Sequence, residues 1–73
     1  MTPNQKIKHL RRLADMPQNV LAEKLGISRV SLSQIEKGAI PTTEEFAQRA
    51  IAIIKELTPD IAQKAKDLVE ALQ

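Results

Sequence analysis

Apolar residues recur along this chain at three- and four-residue intervals, and no stretch alternates apolar with polar as a half-buried strand does. Each apolar stripe is bounded by helix punctuation. Ile7, Leu10, Leu13 and Ala14 form the first stripe. It is preceded by Thr2, a possible cap, by Pro3, suited to a first helical position, and by Gln5, able to reach back to the cap. Asp15-Met16-Pro17 interrupts the pattern, because proline cannot continue a helix but can begin one. A second helix is predicted from about Gln18 to Leu25, with Leu21, Ala22 and Leu25 inward and Gly26 closing its end. Ile27 returns to the core. Ser28 then caps a third helix, Arg29 to Lys37, which Gly38 terminates.

After Pro41, the spacing of Thr42 and Glu45 predicts a capping box opening a fourth helix that reaches about Leu57. Its stripe is Phe46, Ala50, Ile53, Ile54 and Leu57. Thr58-Pro59-Asp60 starts a fifth helix running to about Leu72. The expectation is one all-α domain over residues 1–73, a compact five-helix arrangement. The turn Leu25-Gly26-Ile27-Ser28 between two short helices is the geometry of a helix-turn-helix, which sets its helices nearly perpendicular.

The third helix divides its labour. Leu32 and Ile35 face inward, while Arg29, Val30, Ser33, Gln34 and Lys37 face outward. That outer set suits base edges in a major groove. Arg29 can pair bidentately with guanine and Gln34 with adenine, Ser33 can bond to either, and Val30 can pack on a thymine methyl. A plain solvated face would more often carry Glu and Lys.

Charge adds an asymmetry. The net charge is only +2, but residues 1–37 hold seven basic side chains against three acidic ones, whereas residues 38–73 hold four against six. A basic half is what a polyanion-binding face needs, although an ordinary solvated surface fits charge alone equally well. Lys6, Lys8 and Arg12 are equally plausible as phosphate contacts or as solvated charges. With no cysteine and one histidine, no thiolate or histidine-cluster metal site is expected, and no cofactor is implied. His9 lacks a partner at catalytic spacing, and the serines suit capping better than nucleophilic attack, so an enzyme is not expected. Without an apolar run of about 20 residues or an apolar leader, the expectation is a soluble cytoplasmic protein, associated with the nucleoid when DNA-bound.

The run from Gln18 to Gly38, with Gln18-x-x-Leu21-Ala22, Gly26-Ile27-Ser28 and Ile35-Glu36-x-Gly38, resembles the phage repressor and Cro helix-turn-helix family, over about residues 7–54. The resemblance implies a five-helix fold in which Gln18 contacts a phosphate, Arg29, Val30, Ser33 and Gln34 read bases, and Lys37 makes another phosphate contact. Ser28 and Ser31 are further phosphate candidates. It also implies that Arg11 pairs with Glu36 in a structural role, whereas charge alone makes Arg11 a phosphate binder. Two positions depart from the family pattern. Pro17 stands where a Thr or Ser cap is common, leaving the free amides to Asp15 or to solvent. Val20 stands where a polar residue is usual, an isolated exposed valine or a contact to a protein such as RNA polymerase.

Ile61, Ala62, Ala65, Leu68, Val69 and Leu72 give the fifth helix a wide apolar face, and Ala47, Ile51 and Ile54 offer one opposite it. A chain of this size buries only about 60% of its unfolded surface. A homodimer is therefore expected, with residues 58–73 contributing and Ile51, Ile54, Ile61, Ala65, Leu68 and Leu72 at its interface. The functional expectation is a sequence-specific regulator of double-stranded DNA, a repressor acting as a dimer on a palindromic operator. The alternative is the antitoxin of a toxin-antitoxin pair, neutralising a toxin while using the same domain for autoregulation.

Overall fold

The computed structural model describes residues 1–64 and 66. It contains α1 (Pro3–Leu13), α2 (Gln18–Leu25), α3 (Arg29–Glu36) and α4 (Glu44–Leu57), and a fifth helical segment opens at residues 61–64. No strand is present among the described residues. None of their helices is long and apolar enough to cross a membrane. The predicted course of the fifth helix includes Ala65, Leu68, Val69 and Leu72, which lie outside the described residues.

Local chemistry accounts for most of the boundaries. Thr2 Oγ1 accepts from the Gln5 N–H at 3.2 Å, and the Thr2 N–H donates back to Gln5 Oε1 at 2.8 Å, closing the expected capping box. Gly26 ends α2 at φ 74°, a left-handed conformation in which a side chain is costly. This brings the Ile27 N–H to the Ala22 carbonyl at 3.0 Å and turns the chain directly into α3. Ser28 caps α3 by accepting from the Ser31 N–H at 3.0 Å, and Lys37, predicted as its last residue, is instead its carboxyl-terminal cap.

The start of α4 differs from expectation. Thr43, not Thr42, is the cap, accepting from the Phe46 N–H at 3.1 Å, and with Phe46 three residues on there is no reciprocal box through Glu45. This register puts Glu44 in the first turn, where it meets Lys6 at 3.1 Å, and buries Ala47, Ala50 and Ile54.

The core gathers Ile7 from α1, Leu21, Ala22 and Leu25 from α2, Leu32 and Ile35 from α3, and Ala47, Ala50 and Ile54 from α4. Met16, in the connection between α1 and α2, joins them. Val20 is half-buried and packs against this cluster, so it is a core-flanking residue and not an isolated exposed valine. Conversely Leu57, predicted to be inward, is 44% exposed, because it stands at the last turn of α4. Ile54 and Ile61 are 0% and 3% exposed, so the protomer's own core takes these two expected interface side chains and neither offers surface to a partner. Ile51 remains half-buried.

The turn between α2 and α3 yields a test. Nothing lies within 4 Å of a Cβ added at Gly26, so backbone strain alone sets the cost of filling it. Gly26→Ala should lower stability by about 1–2 kcal/mol, and Gly26→Asn by less, as measured by urea denaturation.

Candidate nucleic-acid interface

An eight-residue helix cannot hold its own orientation, and α3 is fixed along its inner side by Leu32 and Ile35 and at its end by Glu36. Glu36 is 6% exposed and is the only buried charged residue among those described. Burying a carboxylate is unfavourable unless its oxygens are satisfied, and here both are. Arg11 donates from Nε to Oε2 at 2.6 Å and from Nη2 to Oε1 at 2.8 Å, a bidentate pair. The remaining Arg11 nitrogen, Nη1, donates to the Met16 carbonyl at 2.8 Å, tying the connection before α2 into the same arrangement.

Gln18 completes it. Its Nε2 donates to Glu36 Oε1 at 3.0 Å, so the first residue of α2 is bonded to the last residue of α3. The sequence suggests a phosphate contact for Gln18 and gives no sign of this bond. The second Nε2 hydrogen remains for an outside acceptor. Pro17 makes no side-chain cap on α2, and Asp15 does not replace it, leaving the first amides of α2 to solvent or a ligand.

A second clamp is Asn4. Its Nδ2 donates to the Ile35 carbonyl at 2.8 Å and to the Ile40 carbonyl at 3.0 Å. The first turn of α1 thereby fixes the end of α3 together with the segment leading to α4. The two hydrogens on one amide nitrogen satisfy both carbonyls, but their positions 31 and 36 residues away leave no mark in the local pattern.

The outer side of α3 is open. Arg29, Val30, Gln34 and Lys37 are exposed, Val30 to 56%, and Ser33 lies half-buried between them. These are the side chains expected to read bases, with Lys37 at the edge. Ser28 and Ser31 are bonded to each other. The Ser28 hydroxyl accepts from the Ser31 N–H at 3.0 Å and lies 2.9 Å from Ser31 Oγ, so the two hydroxyls share one hydrogen bond. Ser28 thus caps α3 through its oxygen.

No group of three or more potential metal-binding side chains occurs among the described residues. The family described as helix-turn-helix matches residues 7–55, two thirds of the chain, spanning α2, the turn and α3. No curated protein and no solved structure matches the chain.

Burial pushes the Glu36 carboxyl up, but the hydrogen bonds from Arg11 and Gln18 and the charges of Arg11 and Lys8 together outweigh it and hold its pKa below the ordinary 4.5. A carboxyl whose pKa is depressed by folding contributes stability that is fully present above its unfolded value. That contribution is lost as the pH falls through the folded value. The protein should therefore hold its urea midpoint from neutrality down to about pH 4.5 as far as this group is concerned, and lose stability below it. Glu36→Gln should be less stable at neutral pH by about 1.5–3 kcal/mol and show a flatter acid limb.

Proposed function

Because the chain belongs to the phage repressor and Cro-type helix-turn-helix family of DNA-binding regulators, we propose that it is a repressor whose α3 enters the major groove of an operator. The observation that carries this reading is the asymmetry of α3. Its aliphatic side and its terminal carboxylate are locked into the core, while Arg29, Val30 and Gln34 stand free with Ser33 among them.

In this reading Arg29 pairs with guanine O6 and N7, Gln34 with adenine N6 and N7, Val30 packs on a thymine methyl, and Ser33 bonds to a neighbouring base. Lys37, Ser31 and the free amide hydrogen of Gln18 hold phosphates, setting the register without reading sequence. Gln18 joins these tasks, since the side chain that takes a phosphate also bonds the end of the helix that reads bases.

The repressor acts as a homodimer. Two copies related by a two-fold axis place their recognition helices about 34 Å apart, one turn of DNA. The exposed Leu57 and the half-buried Ile51 on α4 support a contact in this region, and the expected contributions of Ala65, Leu68 and Leu72 belong to the same proposal. Ile54 and Ile61 are withdrawn from it by their burial. The operator is then an inverted repeat, and occupancy excludes polymerase from the promoter it covers.

Selection of bound duplexes from a random pool should enrich an inverted repeat with half-site centres about 10 base pairs apart. Arg29→Ala and Gln34→Ala should each relax the preference at one base pair per half-site by about 1–3 kcal/mol. Enrichment of no motif, or of one that both variants keep unchanged, would overturn the assignment.

A further inference from the structure

Two of the basic side chains of α1 are engaged inside the protomer, Lys6 with Glu44 and Arg11 with Glu36. Lys8 and Arg12 form no ion pair among the described residues. They stand about one turn apart on α1, with Gln5 and His9 on the same side. A shallow concavity of about 490 Å³ is lined by Met1, Gln5, Lys8, His9 and Arg12. A neighbouring one of about 580 Å³ shares Gln5 and Lys8 with it and extends to Glu36, Lys37 and Gly38 at the end of α3. Lys8 thus joins two depressions into one surface running from Arg12 on α1 to Lys37 beside the recognition helix. The only carboxylate in its lining is Glu36, which is buried and already paired. Lys8, whose charge also reaches Glu36, and Arg12 and Lys37 therefore place positive charge along the strip with no exposed carboxylate in its lining.

We propose that this outer face of α1 is an accessory DNA-backbone surface that extends the interface past the end of α3, with Lys8 and Arg12 each taking a phosphate. The proposal rests on the reading that α3 enters the groove. Its occupant is argued from charge complementarity and from continuity with Lys37. Lys8 and Arg12 are offset by about 6 Å along the helix axis, a span within which one DNA strand offers about two phosphates. Such contacts are indifferent to base sequence, so they add affinity and leave discrimination to α3.

The test compares the full chain with the double variant Lys8→Gln and Arg12→Gln, titrated over a range of salt concentrations against the selected operator duplex and a scrambled one. Thermal melting of both proteins accompanies it, and the single exposed variant Arg12→Gln serves if the double variant does not fold. Loss of two phosphate contacts should make the slope of log K against log salt shallower by about 1.8, or about 0.9 for the single variant. The ratio of operator to scrambled affinity should not move. An unchanged slope, or an affinity loss equal at every salt concentration, would overturn the accessory surface while leaving the groove reading in place. Failure of the unaltered chain to bind any duplex would instead sink the groove reading, and the accessory surface with it.

Discussion

A buried carboxylate organises this small protein. Glu36 sits at the end of the helix whose outer face is proposed to meet DNA, and it is accompanied into the interior by Arg11 from α1 and Gln18 from α2. Three helices therefore meet at one pair of oxygen atoms. An apolar contact could supply comparable stability but would tolerate sliding and rotation, because dispersion and hydrophobic burial are not directional. A bidentate guanidinium–carboxylate pair defines a plane and a distance, which suits a helix of eight residues that must present particular side chains at a particular angle. Asn4 adds a second directional restraint by holding the Ile35 and Ile40 carbonyls. No buried side-chain nitrogen or oxygen among the described residues is left without a partner.

The consequence for function is a separation of roles along α3. Leu32, Ile35 and Glu36 belong to the molecule, and Arg29, Val30 and Gln34 belong to the outside. Gln18 straddles the two. Engaging a phosphate there would pull on the same carboxylate that orients the recognition helix, so backbone docking and base reading would reinforce each other through Glu36. The paired and unpaired cations of α1 follow a similar division. Arg11 and Lys6 are structural, while Lys8 and Arg12 face outward.

Much of this was legible in the sequence because the signals were local. Thr2 with Gln5, Gly26 and Ser28 act within one helical turn, and each stands where its spacing predicted. The outward set on α3 followed from period and residue chemistry, and the Arg11–Glu36 pair from a family resemblance. What escaped was non-local. Thr42 and Thr43 are both competent caps, and only the packing of Ala47, Ala50 and Ile54 chooses between them. Met16 and Val20 carry no periodic mark, yet neighbouring helices cover both wholly or in part. Ile54 and Ile61 looked available for a second subunit because periodicity reveals that a stripe is apolar and not which neighbour covers it. The amide bonds of Asn4 and Gln18 span 18 residues or more and leave no local trace.

The central claim is that Arg11 and Glu36 act as one unit in placing α3, and a double-mutant cycle over Arg11→Met and Glu36→Met, read by urea denaturation, tests it most directly. The account predicts that the two losses are strongly non-additive, with a coupling of about 1–3 kcal/mol and a double variant more stable than the sum of the single changes implies. Losses that add to within about 0.5 kcal/mol would contradict it, since the helix would then be held by its aliphatic side alone.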